Sequence, residues 1–149
     1  MSVSTAPAEP SFIDRCHDAV ALLGRLAMCW IFLSSGFGKL TDVAGFSGVL
    51  AKRGVPVPSF MGWLGAIVEF GGGVLIILGI KIRYVAILMI LFVIVATLIA
   101  HRYWEYTGPA LNVNYLFLTK NVGVLGGLLY VFVFGAGRYS VDAKWATKR

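Results

Sequence analysis

Charge is scarce in this sequence: 13% of the residues are Asp, Glu, Lys or Arg, against 58% that are apolar. An ordinary soluble domain carries about 25% charged residues, so a water-exposed globular fold is excluded. Acids are scarcer than bases, and the net charge is +6. The bases are scattered among loops and apolar segments without forming a patch, which excludes nucleic acid as a partner. There are two cysteines and two histidines. Cys16 and Cys29 are 13 residues apart, roughly 20 Å along a helix, which is beyond disulfide reach. Neither belongs to a CxxC. His17 and His101 have no spacing that pairs them on a metal, and a haem or di-iron centre needs more ligands than this chain offers. No metal site is read. No stretch reads as a strand, so no glycine loop is placed to cradle a nucleotide, and Gly71–Gly73 reads as a packing device inside a helix.

The apolar residues form four blocks, near Ala19–Phe37, Met61–Ile80, Ile82–Ala100 and Tyr115–Phe134. Each is close to the roughly 20 residues that one helix needs to cross a hydrocarbon core of about 30 Å. The fold class is therefore all-α: an integral membrane bundle of four transmembrane helices. Met1–Ser11 reads as a tail, and the N-terminal tail extends to residue 17 in the division of the chain. Residues 18–140 form the membrane domain and 141–149 a basic C-terminal tail. A cleaved signal peptide is the competing reading of the first block, but Arg25 interrupts its apolar stretch and cleavage would leave three spans.

The connections are equally legible. Between the first two spans Val43, Phe46 and Leu50 recur at helical spacing, and Gly54, Pro56 and Pro58 end the pattern. This predicts a short amphipathic helix on the membrane surface. Lys81–Arg83 predicts a tight hairpin. Tyr103, Trp104 and Tyr106 suit a headgroup zone, and Pro109 breaks any helix there, so the fourth helix is expected to start near Tyr115. The N-terminal segment, the Lys81–Arg83 turn and the C-terminus hold more bases than the other two loops, which places both termini on the cytoplasmic side.

The second span carries the candidate chemistry. Glu69 lies near its middle, and neither flank is long enough to cross alone, so Glu69 lies within the membrane. Gly62, Gly65, Glu69 and Gly72 share a helix face suited to contact with other helices. On the first span Arg25, Phe32, Gly36 and Lys39 lie close to one stripe, and Arg25 also enters the membrane slab. On the fourth, Gly123 and Gly127 make a GxxxG pair. By helical rise, Lys39, Glu69, His101, Lys120 and Asn121 converge in the outer half of the bundle, with Arg25 approaching from the inner side.

Charges inside a membrane are costly and call for partners. Two readings stand side by side. In one, Arg25 or Lys120 neutralises Glu69 and locks the helices in register. In the other, the cluster binds a polar headgroup or relays a proton. His101 reads either as an interfacial hydrogen-bonding residue or as a base. No catalytic residue is assigned.

Several stretches together carry a family resemblance: LLGRL around Arg25, SGFGKL ending at Leu40, GVPVP, VEFGGG around Glu69, ATLIAH ending at His101, KNVGVLGG from Lys120, and GAGRYSVD ending at Asp142. In this order they resemble the DoxX family of small four-helix bacterial membrane proteins. The resemblance implies an inner-membrane protein associated with respiratory or redox complexes and their partner proteins. It implies family positions at Arg25, Gly36, Lys39, Glu69, Gly72, His101, Lys120, Asn121, Arg138, Tyr139 and Asp142. The GAGRYSVD segment is expected at the inner face as an anchor or docking element. With no electron carrier of its own, such a chain would take electrons from a partner. Quinone is the candidate ligand of the polar cluster. The alternatives are a non-catalytic assembly protein and a small-solute transporter, the latter as a homo-oligomer.

Overall fold

A computed structural model describes residues 12–147. Four helices have the length and apolarity to cross a membrane: α1 (Phe12–Thr41), α3 (Pro58–Leu78), α4 (Ile82–Ala100) and α5 (Gly108–Phe134). Between α1 and α3 lies α2 (Val43–Lys52), the expected short amphipathic helix. Its Asp42 cap accepts from the Gly45 N–H at 2.9 Å, and it buries Ser47 and Leu50. A 3₁₀ turn (Tyr103–Glu105) follows α4, and a last short helix, α6 (Val141–Ala146), follows α5. No strand occurs among the described residues. The expected tail at residues 1–11 and the last two bases, Lys148 and Arg149, lie outside the described residues.

Two boundaries are set by the structure. Phe12–Asp18, which reads in sequence as a helical turn leading into the first block, is continuous with α1, and α5 starts at Gly108 where sequence puts the start near Tyr115. Pro109 opens α5 from its first turn. There the missing N–H has no intrahelical partner to lose and the fixed φ already suits a helix, so the proline begins the helix it was expected to break. The segment after residue 140 is also more ordered than a tail: Ser140 Oγ caps α6 by accepting from Ala143 N at 3.2 Å.

Small residues set the helix approaches. α1 packs closely on α3, α3 on α4, and α4 on α5, while α1 and α5 touch little. A side-chain carbon at Gly36 of α1 would sit 2.7 Å from the backbone nitrogen of Phe70 in α3. The Gly62–Gly72 stripe meets α2 at one end, where Gly62 faces Ser47. It meets α4 at the other, where Gly72 admits the Met89 sulfur. In the fourth span Gly127 faces Met28, but a side chain at Gly123 would meet nothing within 4 Å. Within this chain Gly123 is therefore not a packing position, because α1 stands too far from that turn of α5.

The end of the bundle holding the α3–α4 turn is tied by polar contacts. Gly79 ends α3 with φ +66°, the left-handed region that glycine enters without penalty. Arg25, 2% exposed, donates to the carbonyls of Ile76 (3.1 Å), Ile77 (2.9 Å) and Tyr139 (2.5 Å). The Asp142 carboxylate accepts from the N–H groups of Lys81 (2.8 Å) and Ile82 (3.0 Å), which open α4. Asp18 of α1 accepts from Arg138 N at 2.9 Å. The GAGRYSVD segment is thus an intramolecular clasp joining α1, the α3–α4 turn and the C-terminal segment. Asp142→Ala removes the acceptor from both α4 N–H groups and is expected to cost about 0.5–2 kcal/mol. Thermal unfolding in detergent checks this, and an unchanged melting curve would mean that the cap contributes nothing.

Candidate functional site

The opposite end of the bundle, where α1 finishes, holds the polar cluster. Lys39 lies in the last turn of α1, and its ammonium forms an ion pair with the Glu69 carboxylate of α3. Glu69 is 6% exposed. The Lys39 ammonium also lies 4.9 Å from the centre of the Phe46 ring, supplied by α2. From α5, Asn121 Nδ2 donates to Thr97 Oγ1 at 2.8 Å, and that hydroxyl donates to the Val93 carbonyl one turn back in α4 at 2.6 Å. His101 caps α4, and its ring stacks on Phe117 with centroids 4.8 Å apart. The Lys120 ammonium lies 4.7 Å from the centre of the same Phe117 ring. Among the described residues Lys120 has no carboxylate within ion-pair distance.

These groups surround a cavity of about 500 Å³, within the size range of small-molecule sites. Lys39, Glu69, His101, Lys120 and Asn121 all line it, and Ser35 adds a hydroxyl from α1. The remaining wall is largely Leu, Ile, Val and Phe. A mostly apolar pocket with a few convergent polar groups is the usual form of a ligand site. Electrostatically the Lys39–Glu69 pair is close to self-neutralised. Lys120 is left as a cation held on an aromatic face, with the Asn121 amide and the His101 imidazole beside it. The cavity therefore offers donors in excess, and a complementary ligand presents acceptor oxygens.

Of the six polar residues singled out from sequence, five meet at this cavity. Arg25 does not. It sits at the far end on the α3 carbonyls, and the counter-ion of Glu69 is Lys39, in place of Arg25 or Lys120. Arg25 and Lys39 share one stripe of α1 but stand about 21 Å apart along it; Gly36 seats α1 against Phe70, which brings Lys39 alongside Glu69 and leaves Arg25 at the last turn of α3. Gly65 lines the cavity, whereas Gly36, Gly62 and Gly72 act in helix contacts.

Sequence reasoning left Phe117 and Arg53 out of the site. Phe117 carries no local signal among the many aromatics of this chain. Arg53 donates to Tyr106 Oη at 2.5 Å across 53 positions of sequence, which only the fold reveals. No group of three or more His, Cys, Asp or Glu able to hold a metal occurs among the described residues. Cys16 and Cys29 are both free thiols, the latter buried in α1.

The family model described as DoxX matches residues 20–102. Among curated proteins, inner membrane protein YphA of Escherichia coli (strain K12) is 32% identical over 128 residues, covering 86% of this chain and 91% of that protein. Inner membrane protein YqjF of the same organism is 33% identical over 130 residues, covering 87% and 95%. The uncharacterized membrane protein Rv3486 of Mycobacterium tuberculosis (strain ATCC 25618 / H37Rv) is 26% identical over 148 residues, covering 95% and 90%. No solved structure matches significantly.

Proposed function

The chain belongs to the DoxX family of membrane proteins, and from that premise we propose that its cavity holds the headgroup of a quinone or quinone-like lipid. The proposal places the protein in a bacterial inner membrane as a subunit associated with redox partner proteins. Both termini are then cytoplasmic and the cavity lies in the outer half of the bilayer, as the excess of bases around the termini favours. One observation carries the reading. Lys120, without a carboxylate partner among the described residues, shares a largely apolar cavity with His101 and Asn121. A quinone ring fits apolar walls, and its carbonyl oxygens accept from the donors that these side chains present. Glu69, through Lys39, is the group that relays protons to the head when it is reduced and accepts them when it is reoxidised. Electrons come from the partner.

The test is quinone binding to the purified protein, with Lys120→Met and Glu69→Gln beside it. Loss of a charge-assisted hydrogen bond in Lys120→Met is expected to weaken binding by about tenfold or more with little change in thermal stability. The direct Lys39–Glu69 pair favours a second reading, in which the polar core serves only to register α1 against α3 in an assembly protein. That reading prevails if the wild type binds no quinone and Glu69→Gln mainly lowers the melting temperature.

A further inference from the structure

The lining of the cavity differs between the end of the bundle and its side. At the end, Phe46 and Leu50 of α2 and Val55 of the α2–α3 connection form its cover. That cover is strapped down: Arg53 donates to Tyr106 Oη at 2.5 Å, and its guanidinium lies 3.8 Å from the Glu105 carboxylate. The α2–α3 connection is thereby fastened to the 3₁₀ turn after α4.

The side is different. Ile82, Ala86, Met89, Val93 and Thr97 mark the face of α4 turned into the protein, and all are buried. Leu88, Leu91 and Val95 lie about 140–160° around the helix from Val93, at 100° per residue. They still line the cavity, while being 47%, 57% and 54% exposed. On α3, Leu64 does the same at 45% exposed. A cavity lined both by inward Val93 and by outward Leu91 reaches from the core to the lipid-facing surface. It must pass between α3 and α4. The two helices are close where Gly72 admits Met89, beyond Glu69 toward the turn, and the gap lies above that contact.

Polarity is divided along this passage. Lys39, Lys120 and Asn121 stand on α1 and α5, Glu69 and His101 line the cavity from α3 and the end of α4, and the exposed residues at the gap, Leu64, Leu88, Leu91 and Val95, are all apolar. We infer that the cavity is loaded sideways from the bilayer through the α3–α4 gap, and that its occupant is an amphiphile with one polar head and a long apolar tail that remains in the gap. Water-soluble solutes are thereby disfavoured. The inference rests on the headgroup site proposed above and names the class of molecule that it takes.

The test uses the full chain in nanodiscs and two probes, a long-tailed ubiquinone and the same benzoquinone head without a tail. Leu64→Trp and Leu91→Trp together fill the gap with side chains that face lipid, away from the polar groups. The expected result is that long-tailed ubiquinone loses about tenfold or more affinity beyond any loss of the tail-free head. A melting temperature close to that of the wild type reports that the variant is folded. Unchanged binding of the long-tailed probe overturns the inference, and so does an equal loss of both probes. If the wild type binds neither probe, the headgroup site itself is wrong; if it binds both and the filled gap does not discriminate, only the lateral route is wrong.

Discussion

Replacing Arg25 with methionine is expected to destabilise the protein by about 3–5 kcal/mol, because one buried guanidinium holds three carbonyls on two separate pieces of backbone. Two of its acceptors, the Ile76 and Ile77 carbonyls, belong to the last turn of α3, where carbonyls lack the regular intrahelical donor; Ile76 also accepts from the Gly79 N–H at 3.1 Å. The third, on Tyr139, anchors the segment that delivers Asp142 to the start of α4. Methionine keeps an unbranched apolar stem but is shorter, and it leaves all three oxygens without this donor in a site where Arg25 is nearly inaccessible. Arg25→Lys should recover less than half of the loss, since a single nitrogen cannot span the fork. Thermal unfolding in detergent and limited proteolysis after residue 134 check the result, with the C-terminal segment released first. Quinone binding at the other end of the bundle should change little in whatever protein remains folded. A methionine variant that melts with the wild type would show that the clasp contributes no stability.

The second large effect is expected at Gly36. Alanine there puts a carbon 2.7 Å from the Phe70 nitrogen and 2.9 Å from its Cα, closer than side-chain carbons tolerate. The obstacle is backbone in the middle of a membrane helix, so it cannot rotate away, and α1 and α3 must separate. Overpacking of this kind costs about 1–3 kcal/mol for one methyl, and valine should cost more. Phe70 adjoins Glu69, so separation of the helices also lengthens the Lys39–Glu69 ion pair and should weaken ligand binding together with stability. Gly38→Ala is the matched control: it lies in the same helix, and a side chain there meets nothing within 4 Å. Its expected change is neutral or a gain of up to about 1 kcal/mol from helix propensity. Equal melting temperatures for the two alanine variants would mean that α1 and α3 are not in the described contact.

Most of the architecture was readable because it depends on local quantities. The third apolar block, Ile82–Ala100, coincides with α4, and Val43, Phe46 and Leu50 announced α2 by spacing alone. Pro109 was misleading because its effect depends on whether it falls inside a helix or in its first turn, and nothing nearby signals which. The convergence of Lys39, Glu69, His101, Lys120 and Asn121 followed from helical rise and an antiparallel order of spans, both of which are available from sequence.

What remained hidden were the choices among partners. Sequence put Arg25 or Lys120 forward as the partner of Glu69 and placed Lys39 only in the converging cluster, and Asp142 has no local sign that it will cap a helix 60 positions earlier. The sequence by itself determined that the chain is a bundle of four membrane helices with one acid within a span, because the length of an apolar run against the thickness of a bilayer decides that without reference to any neighbour. Only the tertiary structure decided that Lys39 takes the acid and that Arg25 closes the clasp at the far end. It alone left Lys120 facing a cavity that opens between α3 and α4. Those outcomes depend on how each helix is rotated and how closely it approaches the next, and contacts such as Gly36 on Phe70 set both.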